Sequence, residues 1–589
     1  MVNKILHIFH KEIAGVHQAA FLLGAFTLLS QLLALVRDRM LAGFLGASQT
    51  LDLYYTAFRI PDLIYASVAS LVSISVLIPF FSGVFEHRKE DARALLSSVF
   101  TVFVSVMILV SLLAFMLMPY IVRVFFSNLG DESTLNELTS LSRLLLLQPI
   151  CLGISNVFGV ITQIGKRFFV YALSPILYNL SIIIGLIFLY PHYGIRGVIA
   201  GVILGGLMHF AIQIPYAIKE KMLPRFTLDI DMKMIREVIK ISVPRTIALS
   251  ANMFELIIIT SFASWLVVGS VSVFNLALNL QSVPFAIVGV SYALAAFPTL
   301  SACFAKGERQ KFMEHIVTAA RHIIFWSVPI SALFIVLRAQ IVRTILGNGS
   351  FNWQNTRLTA ACLALFVISL VAQGLELLFI RAYYAAGNTR KPVIINVISS
   401  IVTIVCPLIL LTLFQSYTEF QYFMESLFKV EGIEGAGVLM LPLGYSIGTL
   451  FNAFAFWAMF EYDFGNRWHK QEVQPLEDGV EIKDTPVQIS ERHTFSKHVL
   501  PTLSTSIQSA VIGGFVAYVG LNMFDDVFNL STLQGIFLQG LIAGLMGIAA
   551  SALVFILLGN NEIGEIYNAL RQKIWKNKII VSEPDKIEV

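Results

Sequence analysis

Ionisable side chains set inside apolar runs are the residues of this chain best placed to do chemistry. A charge in hydrocarbon costs several kcal/mol unless it is paired or faces a wet cavity. The set comprises Arg37, Asp38, Asp52, Arg59, Asp62, Arg143, His209, Arg245, Glu255, Glu376 and Arg381. Its arginines suit an anionic ligand, because a guanidinium presents several donors in a fixed fork and stays charged at any relevant pH. They can equally be tied to carboxylates, Arg37 to Asp52 or Arg381 to Glu376, and spacing leaves both readings open. Glu255 stands mid-run in Asn252-Met253-Phe254-Glu255-Leu256 and is expected to face a cavity. For Arg59, Asp62, Arg143 and Arg245 the alternative is snorkelling from a helix end. His209 is expected to be a packed, hydrogen-bonded histidine.

Enzymatic machinery is absent from the pattern. No phosphate-binding glycine loop, zinc-ligand spacing or nucleophile elbow occurs. Asp229-Ile230-Asp231 has the spacing of a nucleotide-sugar metal motif, but it sits in a short basic loop with no α/β domain around it. The expectation is a non-enzyme with no resident cofactor or metal and no nucleic-acid partner. Without an ATP-binding domain, uphill movement must draw on an ion gradient, the membrane potential or product removal. Cys151, Cys303, Cys362 and Cys406 each lie in an apolar run far from the others, as small packing residues do, and imply no disulfide framework.

The elements that must position these residues are membrane helices. The 589 residues are 57% hydrophobic and only 13% charged, against about 25% charged in soluble domains. Runs long enough to span, about twenty residues each, begin near residues 15, 53, 97, 141, 169, 196, 240, 272, 315, 358, 392, 435, 500 and 533. The N-terminal run resembles a signal peptide, but it lacks a small-x-small cleavage site and continues into Arg37-Asp38-Arg39, so it reads as the first span. The fold class is an all-α polytopic membrane protein with about fourteen spans. Alternate connections carry twenty Lys and Arg against seven in the intervening ones, which places both termini in the cytoplasm.

A repeat organises the spans. Pro79-Phe80-Phe81-Ser82-Gly83-Val84-Phe85 returns as Pro298-Thr299-Leu300-Ser301-Ala302-Cys303-Phe304, and Ile121-Val122-Arg123 as Ile341-Val342-Arg343. Gly194-Ile195-Arg196-Gly197 has its counterpart in Gly432-Ile433-Glu434-Gly435. The expected division is an N-terminal lobe over 1–222, a C-terminal lobe over 223–462, a cytoplasmic linker over 463–497, a helix pair over 498–560 and a cytoplasmic tail over 561–589. Two parallel six-helix lobes suit a site between them and alternating access. Gly201 with Gly205, and Gly540, Gly544 and Gly547, show small-residue spacing for close helix packing. Glu562 to Lys578 looks amphipathic and is expected on the inner membrane face.

Two stretches carry a family resemblance. Ser30-Gln31-Leu32-Leu33-Ala34-Leu35-Val36-Arg37-Asp38, with Gly43-Phe44-Leu45-Gly46-Ala47, Asp52 and Ala57-Phe58-Arg59-Ile60-Pro61, resembles the opening of the MurJ/MviN lipid II flippases. Arg381-Ala382-Tyr383-Tyr384-Ala385-Ala386-Gly387-Asn388-Thr389-Arg390-Lys391-Pro392 is similar to their later signature, and Pro298 to Phe304 matches as well. The resemblance implies a two-lobe transporter of the bacterial inner membrane. Its cationic cavity would take the pyrophosphate and sugar head of undecaprenyl-linked peptidoglycan precursor, with the last two helices receiving the polyprenyl tail. By that resemblance Arg37 matches a cavity arginine, Asp38 and Asp52 match acidic positions near it, and Arg381 fits the second signature. Together with the residues read above, the candidate substrate-binding set is Arg37, Asp38, Asp52, Arg59, Arg245, Glu255 and Arg381. The chain departs from the family where Gln31, Tyr65 and Asn279 replace cavity arginines and Ser70 replaces a glutamate. Arg59, Arg143 or Arg245 would then have to substitute. Alternatives are a flippase for another polyprenyl-linked oligosaccharide, a drug/cation antiporter or a non-transporting scaffold of the same fold. A monomer is the default oligomeric state.

Overall fold

The computed structural model describes residues 16–69, 77, 81, 89–466, 495–560 and 562–565, without the side chains of 16–21, 89, 90, 241, 244, 245 and 466. Helices account for nearly all of this, and no strand occurs among the described residues. That is the solution lipid imposes, since a spanning backbone must satisfy its own N–H and C=O groups.

The helices are α1 (Val16–Leu45), α2 (Gln49–Ala57), α3 (Arg59–Val68), α4 (Lys89–Phe126), α5 (Glu132–Leu145), α6 (Leu147–Ile164), α7 (Phe168–Ile184), α8 (Ile195–Ala211), α9 (Met232–Ser264) and α10 (Ser270–Phe285). There follow α11 (Ser291–Ala305), α12 (Arg309–Val336), α13 (Arg338–Leu346), α14 (Trp353–Val367), α15 (Leu370–Ala385), α16 (Arg390–Ser416), α17 (Thr418–Phe428), α18 (Met440–Phe460), α19 (Phe495–Met523) and α20 (Leu533–Leu557). Among the described residues 11 helical stretches are long and apolar enough to cross a membrane, or up to 12 counting α14 and α15, which bend by 43° at their junction, as one span. The run expected at 358 is this broken pair. The runs expected at 15 and 53 fall on α1 and on α2–α3, the latter continuing outside the described residues. The first repeat segment, Pro79–Phe85, also lies outside them apart from Phe81, as does most of the 463–497 linker.

Two compact units emerge. One holds Met1–Val283, Arg338–Ala372 and Ala386–Phe456; the other holds Pro284–Leu337, Gln373–Ala385 and Trp457–Val589. In the first, α1 packs on α7 and α13, α8 on α6 and α7, and α9 on α3 and α16. The α7–α8 contact needs the small residues expected there. A Cβ on Gly201 would stand 2.8 Å from the Gly185 Cα, closer than real atoms approach. In the second unit α19 packs on both α12 and α20, where a Cβ on Gly547 would meet the Gly513 carbonyl oxygen at 2.8 Å.

The repeated Ile-Val-Arg motif closes α4 and α13 alike, and each is followed by an Asx-capped helix. Asp131 accepts a hydrogen bond from the Thr134 N–H ahead of α5, and Asn352 accepts one from the Asn355 N–H ahead of α14. Such caps satisfy a donor that the helix start leaves open.

Candidate functional site

Arg37 and Asp38 are consecutive on α1, in the first unit. Arg37 donates from Nε (3.0 Å) and Nη2 (2.8 Å) to Asp38 Oδ1, and from Nη1 to Asn179 Oδ1 of α7 at 2.9 Å. Asn179 in turn donates to Ser30 Oγ at 3.4 Å, and Asp38 Oδ2 accepts from Asn279 Nδ2 of α10 at 3.0 Å. A continuous polar chain thus joins α1, α7 and α10. The Arg37 side chain is 19% exposed and that of Asp38 4%. Among the described residues three of the five guanidinium N–H donors are engaged, leaving Arg37 able to donate to a further anionic oxygen.

Asp52 does something else. Its carboxylate accepts from the Gly269 N–H (2.6 Å), the Ser272 N–H (2.7 Å) and the Ser272 hydroxyl (2.5 Å). It caps α10 from α2, placing negative charge where orphan N–H groups and the helix dipole favour it. Gly269 reaches this position with φ +95°, and a Cβ there would lie 2.6 Å from the Ala47 carbonyl oxygen. The Arg37–Asp52 tie that spacing left open is not made: Arg37 pairs with its own neighbour, and Asp52 serves the backbone.

Arg59 begins α3, is 9% exposed, and spans to two other helices. Its Nε donates to Thr260 Oγ1 of α9 at 2.8 Å and its Nη2 to Asn275 Oδ1 of α10 at 2.5 Å. A buried guanidinium held by neutral oxygens is held in place without being neutralised by them; Asp62 follows one turn later on the same helix. Counted formally, α1 to α3 bring Arg37 and Arg59 against Asp38, Asp52 and Asp62 into this region, so the cluster carries no cationic surplus of its own.

The remaining candidates are distributed more widely. Glu255 is buried on α9. The Arg245 side chain lies outside the described residues, as does Ser70. Arg381 belongs to the second unit, on α15, with its guanidinium 5.4 Å from the Phe297 ring centroid. His209 is packed as expected, its Nδ1 2.7 Å from Ser155 Oγ. Two of the positions that depart from the family are informative. Asn279 supplies a neutral N–H to Asp38, and the Tyr65 hydroxyl accepts from Asn156 Nδ2 at 3.3 Å.

Asn179, Thr260, Asn275, Gly269 and Ser272 are the partners that sequence reasoning missed. Only Asn179, a lone amide in the apolar run Leu177-Tyr178-Asn179-Leu180, offered a signal. The others are ordinary residues whose importance comes from what reaches them across some two hundred positions of sequence. Among the described residues no group of three or more His, Cys, Asp and Glu is arranged to hold a metal ion.

Against known proteins, the family model described as "Lipid II flippase MurJ" matches residues 41–465. The lipid II flippase MurJ of Burkholderia cenocepacia is 26% identical over 394 residues, covering 66% of this chain and 76% of that protein. The probable lipid II flippase MurJ of Thermotoga maritima is 27% identical over 391 residues, covering 66% and 78%. Among solved structures, a lipid II flippase MurJ in an inward closed conformation superposes with a TM-score of 0.67 at 20% identity, covering 91% of this chain and 99% of that one. An inward-facing multidrug transporter of the MATE family and MOP superfamily superposes with a TM-score of 0.62 at 14% identity, covering 76% and 96%. At these identities the superpositions speak for the fold alone.

Proposed function

Because the chain belongs to the lipid II flippase MurJ family, we propose that it moves lipid II, the lipid-linked peptidoglycan precursor, from the inner to the outer leaflet of the bacterial cytoplasmic membrane. The observation that carries this reading is the match of the family model across 41–465, which takes in every candidate site residue except Arg37 and Asp38. The chain is a multi-pass membrane protein and not an enzyme.

In this reading Arg37 is the primary contact for the pyrophosphate. Asp38 and Asn179 hold its guanidinium in one orientation, so the fork is ordered before the ligand arrives, and ordering in advance lowers the cost of binding. Arg59 is held in the same unit on α3, and Glu255 lines the route from α9. With Gln31, Tyr65 and Asn279 uncharged, fewer cations share the diphosphate, and each remaining one matters more. Asp38 competes with the substrate for Arg37, which favours release once the cavity has turned outward. Two lobes divided near residue 222, both termini in the cytoplasm, and α19 with α20 as a path for the polyprenyl tail complete the proposal. The protein works as a monomer without a resident cofactor, driven by an ion gradient or the membrane potential.

The test is complementation of a bacterium depleted of its own lipid II flippase, with outer-leaflet lipid II measured alongside growth. Growth with restored surface lipid II is the expected result. Failure at normal membrane levels of the protein would reject lipid II as the substrate.

A further inference from the structure

Outside the Arg37 cluster, the first unit contains a cavity of about 680 Å³ lined by α4, α5 and the start of α6. That volume lies within the roughly 300–1,000 Å³ of small-molecule sites. Its walls differ in character. Asn136, Ser140 and Arg143 form one wall, spaced four and three residues apart along one face of α5; Ile108, Leu112 and Phe115 of α4 form the opposite, apolar wall. Ile108, Leu112, Phe115 and Leu147 are exposed on helices apolar enough to span, so the cavity opens sideways toward hydrocarbon.

Arg143 is the feature that calls for a ligand. It stands eleven residues beyond Glu132, whose ion pair with Arg123 is exposed at the helix ends. At about 1.5 Å per residue that is roughly 16 Å along the helix, comparable to half of a ~30 Å hydrocarbon core. The side chain does not reach back to that pair. Its Nε donates to the Phe115 carbonyl oxygen at 2.9 Å, and the guanidinium lies 4.5 Å from the Phe115 ring centroid. Among the described residues no carboxylate faces it, and the N–H groups on both Nη atoms have no protein acceptor. A second such group lines the same cavity: the Ser111 hydroxyl is buried without a hydrogen-bond partner among the described residues. A guanidinium held at this depth by a carbonyl and a ring, with its fork open to a lateral crevice, complements a lipid phosphate.

We propose that this cavity binds a diacyl phospholipid with an anionic headgroup, its phosphate on Arg143 and one acyl chain along Ile108, Leu112 and Leu147. The lipid enters from the leaflet that meets the α4–α5 connection, and Asn136 and Ser140 form the polar track by which its headgroup descends. A lipid held there would brace α4 against α5. The proposal concerns lipid retention and stands independently of the transport reading.

The test is native mass spectrometry of the purified full-length chain, titrated separately with phosphatidylglycerol and phosphatidylcholine. The expected result is one retained phosphatidylglycerol, favoured about tenfold over phosphatidylcholine. In Arg143→Gln, which can keep the hydrogen bond to the Phe115 carbonyl, the preference disappears. Leu112→Trp, which fills the crevice and leaves Arg143 intact, loses the bound lipid at an unchanged melting temperature. Equal retention of the two lipids by the unmodified chain would reduce the site to an apolar crevice and overturn the proposal. So would an undiminished preference in Arg143→Gln, or displacement of phosphatidylglycerol by equimolar undecaprenyl phosphate.

Discussion

Arg37 in the first unit and Arg321 in the second are both partly buried arginines paired with a carboxylate, at 19% and 26% side-chain exposure. Exposure does not distinguish them; the rest of the network does. Arg321 donates to Glu562 Oε1 at 2.5 Å and to Thr502 Oγ1 at 3.2 Å, and Thr502 itself donates to the same Glu562 oxygen at 3.0 Å. That triangle closes on itself and joins α12, α19 and the segment after α20. Beside it His322 Nε2 meets Glu565 at 3.1 Å and the His322 ring stacks on Tyr292. The Arg37 network stays open, passing through the neutral amides Asn179 and Asn279 to uncharged ends. A closed triangle holds helices together, whereas an open chain can exchange a protein acceptor for a ligand. The contrast predicts which substitutions abolish transport and which only loosen the fold.

The largest effect is expected at Arg37. A charge-assisted hydrogen bond is worth about 1.5–3 kcal/mol, so Arg37→Ala should lower lipid II transport on the order of 10–100-fold while the melting temperature stays within a few degrees. Arg37→Lys keeps the charge but cannot engage Asp38 and Asn179 in one plane, and should fall between. Transport assayed in proteoliposomes, with membrane levels matched, checks both. A fully active Arg37→Ala would remove the functional half of the comparison. The double variant Arg37→Ala, Arg245→Ala should be inactive at normal membrane levels.

Asp52 comes next, and its effect should be on stability. Asp52→Ala leaves two buried backbone N–H groups and a hydroxyl without an acceptor, at about 1–3 kcal/mol each before relaxation. A net loss of roughly 3–5 kcal/mol should appear as a lower melting temperature and reduced membrane accumulation. Asp52→Asn keeps one acceptor oxygen and should recover part of it. If Asp52→Ala instead melts normally and fails only in transport, Asp52 belongs with Arg37 and not with the helix cap.

In the closed triangle, burial pushes the Glu562 carboxyl up, but the hydrogen bonds from Arg321 and Thr502 prevail and hold it below its ordinary value of 4.5. A carboxyl lowered on folding contributes stability in full above its unfolded value and loses it as pH falls through the lowered one. The unmodified chain should therefore lose thermal stability as the pH drops below about 4.5, and Glu562→Gln should flatten that slope. At neutral pH the variant should cost about 1–3 kcal/mol and leave the lipid II transport rate within a factor of two to three. Melting curves across a pH series read the first part.

Much of this architecture was legible in the sequence. The apolar runs from 97 onward fall on helices because lipid permits few other structures for such segments, and Gly201 meets Gly185 because small residues at that spacing let backbones touch. The site was legible in its charges and not in its partners. Asp52 was visible as an intramembrane acid, but nothing in its surroundings revealed that it caps a helix starting more than two hundred residues later. Glu562 was legible only as the first residue of an amphipathic tail that beyond 565 lies outside the described residues. Its burial against α12 and α19 comes from Arg321 and Thr502, which both donate to it from far away in the sequence. Local pattern sets where helices run, while long-range hydrogen bonds decide what each charge is for.

The smallest effect provides the baseline for the others. Arg123 and Glu132 pair directly at the α4–α5 connection, with side chains 60% and 62% exposed. Exposed pairs contribute about 0–1 kcal/mol, because water screens the charges and two long side chains lose freedom in meeting. Arg123→Ala should therefore shift the melting temperature by no more than a degree or two, with lipid II transport unchanged. The pair also sits at the mouth from which the polar face of α5 descends to Arg143. If Arg123→Ala lowered phosphatidylglycerol retention while leaving stability untouched, the exposed pair would be part of the lipid's entry and not merely a surface contact. An ion pair's worth would then depend, as at Arg37, on what else can take the place of its carboxylate.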